Sequence, residues 1–279
     1  MKTEKECVVT AAELCNSYLS ENGIVKNRTA VCGNMDVAWL SRNKVPVVNV
    51  NADAIKFRDA GCVITMPQTN QELSDMIFLG TTVSEEKKVS LPFLIQSNSD
   101  NLREKVVLPT KTAIDKFIPN FKAYDTNVGP HEAVLNALSI YHKHAEIWKS
   151  KFKRSLSVVE YIEGENMIVG YGLSINTISK VFDRKINEND FGKEFGWMSV
   201  RMLRPFPVDE IKKALENAKK VLVVDSSMSV GYAGALYSDL KAHYRGLCSN
   251  VVVDRLSAEQ AEKLFSRLKS TEKESVEML

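Results

Sequence analysis

The 279 residues suffice for one large domain or two ordinary ones, and for a substantial buried core. Hydrophobic residues make up 44% of the sequence and charged residues 26%, a globular composition that excludes a chain disordered throughout. With 37 basic and 35 acidic residues the net charge is only +2, which predicts no binding to nucleic acid or to anionic membranes.

No apolar run approaches the roughly 18 residues that a membrane helix needs, and the charged N-terminus lacks a convincing signal-peptide cleavage site. We therefore expect a cytoplasmic protein. The five cysteines are scattered and form no C-x-x-C pair, so the sequence predicts neither a zinc site nor an iron–sulfur cluster on this chain. We expect buried or idle thiols, with any redox centre on another chain.

The first half of the chain predicts a helix, three strands and two further helices. The helices are predicted at 6–21, 68–83 and 131–154, and the strands at 45–51, 62–67 and 90–98. The order of the last two strands, with a helix between them, favours a parallel βαβ unit. Residues 99–130 contain several prolines and predict a connecting segment.

The second half alternates regularly between strands and helices. Strands are predicted at 157–162, 166–172, 196–203, 220–225 and 249–254, and helices at 174–184, 208–218, 235–244 and 257–269. This alternation predicts a doubly wound, mostly parallel sheet, followed by a frayed tail.

Two segments that contain glycine are candidate ligand loops. Gly170–Tyr171–Gly172 lies between a strand and a helix, but it lacks the third glycine of a dinucleotide-binding loop, which favours a tight turn. The segment Ser226–Gly234 follows an apolar strand, and ligands or partners of open α/β sheets dock at such carboxyl ends. A plain connector is the alternative for this second segment.

The histidines of the long helix form no metal motif. Position i+4 from His131 is Leu135, and His142 and His144 point in different directions on a helix. We expect solvated or boundary side chains, and a solvated face for the basic run at 142–154, with partner contact as the alternative. Because the sequence also lacks a nucleophile elbow and a P-loop, the residues alone predict an α/β protein without a self-contained active site.

Residues 200–244 resemble the alpha chain of pyruvate:ferredoxin oxidoreductase and its 2-oxoacid relatives. In that family an R-x-x-R-P-F-P stretch precedes a helix and a strand, and the strand ends in D-x-x-x-S-x-G-x-x-G. The matching positions here are Arg201, Arg204, Pro205, Phe206, Pro207, Ile211, Asp225, Ser229, Gly231, Gly234, Leu236, Tyr237, Asp239, Leu240 and Lys241.

The resemblance extends to earlier segments and implies a domain organisation. Residues 53–61 are similar to the family's S-D-V-M-A-A-R-D-T-G, and Glu160 and Tyr161 echo its approach to the first strand. The family fold is α/β with two domains, a thiamine-pyrimidine-type domain, here reduced, and a transketolase-C-terminal-like domain with a doubly wound, mostly parallel sheet. The expected limits are 1–120 for the first domain, 121–155 for a connecting segment and long helix, 156–270 for the second domain and 271–279 for a tail.

The N-terminal part departs from the family pattern. It is shorter than in family members, has no Y-P-I-T-P motif, and shows no counterpart of the arginine that the family uses for the substrate carboxylate. The resemblance implies a glutamate at the aminopyrimidine of thiamine diphosphate, where protonation of the ring drives the cofactor toward its ylid. Glu13 is the candidate for that role, although its spacing to the next strand is short. Arg58 and Asp59 are the other candidate catalytic residues.

The resemblance implies an alpha-type subunit of a 2-oxoacid:ferredoxin oxidoreductase, which decarboxylates a 2-oxoacid such as pyruvate to an acyl-CoA and reduces ferredoxin. Thiamine diphosphate and iron–sulfur clusters would lie mainly on partner chains, with none bound by this chain alone. The implied partners are beta, gamma and delta type subunits and ferredoxin, and a homodimer through this chain is compatible with the pattern.

Two other hypotheses stay open at this point. The missing N-terminal motif favours a non-catalytic paralogue that serves as a scaffold or regulatory subunit and has lost the active site. An independent module that binds a small ligand is the third hypothesis.

Overall fold

The computed structural model describes residues 36–51, 53–96, 104–118, 127–188, 191–229 and 231–279. The predicted helix at 6–21, with Glu13, lies outside these residues. The chain divides into two compact units, one formed by Met1–Ser157 with Met202–Pro205 and the other by Val158–Arg201 with Phe206–Leu279. Each unit combines helices with a β-sheet, which confirms the predicted two-domain α/β fold class.

The described elements follow the predicted alternation, but the single strand predicted at 196–203 is wrong, because Phe195–Val200 and Met202–Arg204 are separate strands in different sheets. In chain order, the strands are β1 (Val47–Asn51), β2 (Val63–Thr65), β3 (Pro92–Gln96), β4 (Val159–Ile162), β5 (Asn166–Gly170), β6 (Phe195–Val200), β7 (Met202–Arg204), β8 (Lys220–Asp225), β9 (Leu247–Val252) and β10 (Val276–Met278). The helices are α1 (Val37–Arg42), α2 (Asn70–Ser84), α3 (Lys111–Asp115), α4 (Pro130–Phe152), α5 (Gly172–Lys185), α6 (Phe191–Glu194), α7 (Val208–Ala214), α8 (Ala235–Lys241) and α9 (Ala258–Ser270). None of these helices combines the length and the apolar character needed to span a bilayer, within the part of the chain that is described.

The first unit is built on a four-stranded sheet in the order β1-β3-β2-β7. β1 and β2 both run parallel to β3, which confirms the predicted parallel βαβ unit. β7 pairs antiparallel with β2, although it comes from a distant part of the sequence. The chain therefore leaves the second unit after β6, adds one strand to the first sheet, and returns to the second unit at Phe206.

Helix α2 forms the interior of the first unit. It begins at the N-cap Thr69, whose hydroxyl accepts the amide of Glu72 at 3.1 Å. Every side chain from Leu73 to Ser84 is buried, so the helix is covered on all sides. Phe78 stacks on Trp148 of α4, with ring centroids 5.9 Å apart, and this contact packs the two helices together.

The structure corrects one expectation for α4. His144 is buried, with 8% exposure, where the sequence predicts a solvated or boundary side chain. Tyr141, Ala145 and Trp148 form the buried face of the helix, and His144 shares it. The imidazole is tolerated there because its Nε2 lies 3.0 Å from Oε1 of Glu86, which supplies the polar partner that a buried ring nitrogen needs.

The second unit is built on a six-stranded sheet in the order β10-β9-β8-β5-β6-β4. Its strands are parallel except for β4, which pairs antiparallel with β6 at one edge, so the predicted mostly parallel sheet is confirmed. Helices α5 and α9 pack on this sheet through an apolar core that includes Ile178, Phe182 and Phe265.

The expected fraying of the C-terminal tail is wrong. Val276–Met278 forms β10, which pairs parallel with β9. Ion pairs fasten the segment as well, because Glu274 binds Lys241 and Glu277 binds Arg267, each at 2.5 Å. β10 lies at the edge of the sheet with its side chains exposed, so its residues need not be apolar. Because a buried strand is recognised by a run of apolar residues, the sequence of the tail does not predict this strand.

Candidate functional site

Asp225, the last residue of β8, is the centre of a buried hydrogen-bond group in the second unit. The residue is fully buried, at 0% exposure. Its Oδ1 accepts the amide of Leu236 at 2.9 Å, and its Oδ2 accepts the amide of Tyr237 at 3.2 Å and Nδ2 of Asn250 at 2.9 Å. The carboxylate therefore satisfies amide groups in the first turn of α8, which have no partner inside the helix.

Side chains from the two strands that flank β8 hold the ends of the loop Ser226–Gly234. On β9, Oδ1 of Asn250 accepts the amide of Gly234 at 2.8 Å. Directly after β5, the hydroxyl of Tyr171 accepts the amide of Ser226 at 3.1 Å. The segment Gly170–Tyr171–Gly172 thus carries a residue that fixes this loop, and its tyrosine is itself buried.

Burial dominates the ionisation of this group. It raises the pKa of Asp225 to about 6, against the lowering effect of the Leu236 and Tyr237 amides and of the Asn250 side chain. Burial also raises the pKa of Tyr171, and the neighbouring Asp225 charge adds to that rise. At neutral pH the carboxylate is therefore ionised and the phenol neutral, which suits a structural hydrogen-bond group that shapes the loop.

The tip of the loop is ordered by its own main chain and exposes an aromatic ring. The amide of Ser229 donates to the carbonyl of Ala233 at 2.8 Å, and the amide of Tyr232 donates to the carbonyl of Ser229 at 2.9 Å. The Tyr232 side chain is 70% exposed. The loop sequence contains no acidic or basic residue, so its position at the carboxyl end of the sheet suits binding better than proton transfer.

In the first unit the structure brings Arg58 and Asp59 together with Arg204. Arg58 and Asp59 follow a 3₁₀ turn at Ala54–Phe57, and Arg204 is the last residue of β7. Nε of Arg204 donates to the carbonyl of Arg58 at 3.0 Å, and its Nη2 lies 3.8 Å from Oδ1 of Asp59. Nε of Arg58 lies 3.6 Å from the other carboxylate oxygen of Asp59.

The two arginines of the R-x-x-R-P-F-P stretch therefore serve different units. Arg201 is buried and binds the carboxylate of Glu160 within the second unit. Arg204 contacts Arg58 and Asp59 within the first unit. The remaining predicted site residue, Glu13, lies outside the described residues, so its role stays a prediction, as do the roles of Arg58 and Asp59.

Sequence reasoning did not identify Asn250 or Tyr171 as residues that shape the loop. A signal existed for Asn250, because an amide inside the apolar strand SNVVVD must find hydrogen-bond partners when it is buried. No comparable signal existed for Tyr171, since its hydroxyl meets Ser226 across 55 residues of sequence.

The described residues do not fit an iron–sulfur cluster or a bound metal ion. Cys62 and Cys248 are buried free thiols in different units, and burial raises the pKa of each to about 12, so both are protonated at neutral pH. Among the residues that the structure describes, no three His, Cys, Asp or Glu side chains are placed to hold a metal ion.

Comparison with known proteins gives a consistent picture for the second unit. Residues 164–260 match the sequence model of the family described as pyruvate:ferredoxin oxidoreductase core domain II. The matched range runs from just before β5 into α9, and it contains Tyr171, Asp225, Asn250 and the loop Ser226–Gly234.

The similar curated proteins are longer than this chain. "Pyruvate synthase subunit PorA" of Methanothermobacter thermautotrophicus is 29% identical over 224 residues, which cover 71% of this chain and 58% of that protein. The Thermotoga maritima protein of the same name is 27% identical, covering 69% and 55%. "Ketoisovalerate oxidoreductase subunit VorA" of Pyrococcus horikoshii is 24% identical, covering 73% and 61%. The chain thus matches between 55% and 61% of the length of these three relatives.

A solved structure shares the fold. The 2-oxoglutarate:ferredoxin oxidoreductase from Magnetococcus marinus aligns with 93% of this chain and 55% of its own, with a TM-score of 0.57 and 14% identity. The chain is thus similar in sequence to subunits named PorA of pyruvate synthase and VorA of ketoisovalerate oxidoreductase, and it shares its fold with a 2-oxoglutarate:ferredoxin oxidoreductase.

Proposed function

We propose that the chain is an alpha-type subunit of a 2-oxoacid:ferredoxin oxidoreductase, which converts a 2-oxoacid such as pyruvate to an acyl-CoA and reduces ferredoxin. The main observation behind the proposal is that residues 164–260 match core domain II. Within this range, hydrogen bonds of Asp225 and Asn250 hold the loop Ser226–Gly234 and the start of α8. The relatives named as pyruvate synthase and ketoisovalerate oxidoreductase subunits support the class of substrate.

In this proposal the chain acts only as part of a complex. By resemblance to the family, thiamine diphosphate and the iron–sulfur clusters lie mainly on partner chains of the beta, gamma and delta types. Ferredoxin is the electron acceptor. A homodimer through this chain and a location in the cytoplasm belong to the same proposal.

Arg58 and Asp59 are the described residues that we assign to the active site. The Arg58 side chain is 25% exposed and the Asp59 side chain 82% exposed, so both can reach a ligand. A guanidinium suits the carboxylate or phosphate of an anionic ligand, and a carboxylate can orient a polar group or accept a proton. Glu13 is the residue that we assign to the aminopyrimidine of the cofactor.

The test uses the complex purified with its native partners. Viologen reduction that depends on coenzyme A is measured with pyruvate, 2-oxoisovalerate and 2-oxoglutarate in turn. Arg58→Ala and Asp59→Ala are each expected to lower turnover while the complex stays assembled, as checked by size-exclusion chromatography. Lys56→Ala is the matched control, because Lys56 lies in the preceding turn and its side chain is 67% exposed.

Two results count against the proposal. A complex that reduces no viologen with any of the three 2-oxoacids, or that contains no thiamine diphosphate, contradicts the proposed activity. Unchanged turnover in both the Arg58 and the Asp59 variants removes these residues from the site and leaves the chain with a scaffold role.

A further inference from the structure

Arg204 holds two main-chain carbonyl groups with one side chain. Its Nε donates to the carbonyl of Arg58 at 3.0 Å, and its Nη1 donates to the carbonyl of Leu203 at 2.8 Å. The side chain is only 18% exposed. A guanidinium is a planar fork whose donors point in fixed directions, so two simultaneous bonds fix the carbonyl of Arg58 relative to β7.

The bonded carbonyl lies where the chain leaves the 3₁₀ turn. The amide of Arg58 still belongs to the turn, because it donates to the carbonyl of Ile55 at 3.2 Å. Further along, the hydroxyl of Ser41 donates to the carbonyl of Gly61 at 2.6 Å. The stretch between these anchors contains Arg58 and Asp59, and the guanidinium of Arg204 sets the direction of its main chain.

The ion pairs among Arg58, Asp59 and Arg204 contribute little to fixing the main chain of this segment. The Arg58–Asp59 and Arg204–Asp59 distances are 3.6 and 3.8 Å, and the Asp59 side chain is 82% exposed. Exposed ion pairs at such separations contribute little, because water screens them. The main-chain hydrogen bonds of Arg204 therefore contribute more to the placement of the segment than these ion pairs do.

We infer that Arg204 is a positioning residue for the site of Arg58 and Asp59. It holds the main chain after the 3₁₀ turn so that both side chains are presented in one fixed arrangement, and it acts through them rather than on the substrate. The inference rests on the proposed function, because it gives Arg204 a part only in the site to which Arg58 and Asp59 are assigned. It also explains why an arginine of the R-x-x-R-P-F-P stretch belongs to the first unit.

The test measures kcat and KM for the 2-oxoacid in the assembled complex. Arg204→Gln is expected to lower kcat/KM by about 10- to 100-fold, since misplacement of site residues by about 1 Å can cost about 100-fold. Arg204→Lys is expected to recover only part of the loss, since an ammonium group has no fork. Lys56 lies in the same turn and pairs with Asp53, so Lys56→Gln is the control that should keep wild-type kinetics.

A double-variant comparison separates positioning from a general structural effect. If Arg204 acts through the two side chains, Arg204→Gln added to the Arg58→Ala/Asp59→Ala variant should lower the residual activity by less than about twofold. Hydrogen exchange of the full chain gives a readout independent of turnover. The amides of Arg58 and Ala60, which are bonded within the turn, should exchange faster in Arg204→Gln than in wild type.

Each outcome decides the matter. Wild-type kinetics in Arg204→Gln, or a full additional loss in the Arg58→Ala/Asp59→Ala background, overturns the inference while the proposed function stands. A wild-type complex without 2-oxoacid-dependent reduction overturns the proposed function and this inference with it. If Arg204→Gln does not assemble, the same kinetic and exchange measurements on Arg204→Lys decide, and unchanged values there overturn the inference.

Discussion

A β-carbon on Gly234 would lie 1.9 Å from Oδ2 of Asp225 and 2.2 Å from its Cγ. The backbone of Gly234 has φ −57°, which any residue can adopt, so glycine is needed there because the carboxylate occupies the space. Gly231 is the opposite case, since its φ is +82° and a β-carbon would meet nothing within 4 Å. The two glycines of the D-x-x-x-S-x-G-x-x-G stretch thus answer two different physical requirements.

We predict that Gly234→Ala destabilises the second unit more than Gly231→Ala does. The first change displaces a buried carboxylate with several hydrogen bonds and should cost about 3 kcal/mol or more. The second costs only the left-handed backbone penalty, about 1 kcal/mol. Urea unfolding followed by tryptophan fluorescence, to which Trp197 of β6 contributes the signal of the second unit, measures both costs. Equal costs would show that Asp225 can move aside freely.

Asp225→Asn is predicted to destabilise the second unit by about 1–3 kcal/mol at neutral pH. The amide nitrogen of asparagine cannot accept the bonds that one carboxylate oxygen receives from Tyr237 and Asn250, so at least one buried donor loses its partner. Urea unfolding at pH 7 gives the magnitude. Asp225→Glu serves as a control that keeps the charge and tests the geometry.

The loss of stability in Asp225→Asn is expected to depend on pH, because the pKa of Asp225 is raised in the folded state. Because folding raises this pKa from 3.8 to about 6, the folded state binds the proton more tightly than the unfolded state. Protonation of Asp225 stabilises the folded state, and this stabilisation is lost as the pH rises from about 4 to about 6. The difference in the free energy of unfolding between wild type and Asp225→Asn should therefore become smaller between about pH 4 and about pH 6, by up to about 3 kcal/mol. A gap that widens instead would mean that hydrogen bonding outweighs burial at this carboxylate.

Asp75 and Arg154 form an ion pair in the first unit that can be tested by a double-mutant cycle. The Asp75 carboxylate is 1% exposed and accepts Nε and Nη2 of Arg154 at 2.6 and 2.9 Å. Burial raises the pKa of Asp75 while Arg154 opposes the rise. Arg154→Ala should cost about 3–5 kcal/mol, because it strands a buried charge.

Removal of both charges should be much less harmful. The Asp75→Asn/Arg154→Ala variant is expected to recover most of the stability lost in Arg154→Ala, since no unpaired charge is left buried. Urea unfolding of the two single variants and the double variant gives the coupling energy. A double variant as unstable as the sum of the single changes would show that the pair itself contributes little.

Cys62 and Cys248 are predicted to resist alkylation in the folded chain. Both thiols are buried, and the raised pKa of each, about 12, leaves almost no reactive thiolate at pH 8. Peptide mapping after treatment with iodoacetamide should find both residues unmodified in buffer and modified in urea. Rapid labelling of either one in buffer would indicate an exposed thiol and contradict the described packing.

Much of the fold could be predicted because hydrophobic patterns are local. The observed strands Val47–Asn51 and Lys220–Asp225 agree with the strands predicted at 45–51 and 220–225, because each contains a run of β-branched or apolar residues. Misjudged features depend on partners elsewhere in the chain. The buried His144 has Glu86 as a polar partner, and Val276–Met278 forms a strand by pairing with the edge of β9.

The candidate site was less predictable than the fold. Arg58 and Asp59 could be singled out by resemblance, but their contact with Arg204 spans 146 residues of sequence and depends on β7 joining the first sheet. The loop Ser226–Gly234 could be recognised in the sequence, whereas its hydrogen bond to Asn250 depends on the pairing of β8 with β9. Pairings of this kind are set by topology, which periodicity does not reveal.

The insertion of Met202–Pro205 into the first sheet affects how this protein can be made. During synthesis the first sheet lacks its edge strand until the ribosome has added Pro205, by which time β4, β5 and β6 have already been translated. The first unit therefore cannot be complete before a large part of the second unit has been translated. For the same reason a recombinant fragment that stops at Ser157 would expose the flank of β2, and both halves should be more soluble expressed as one polypeptide than apart.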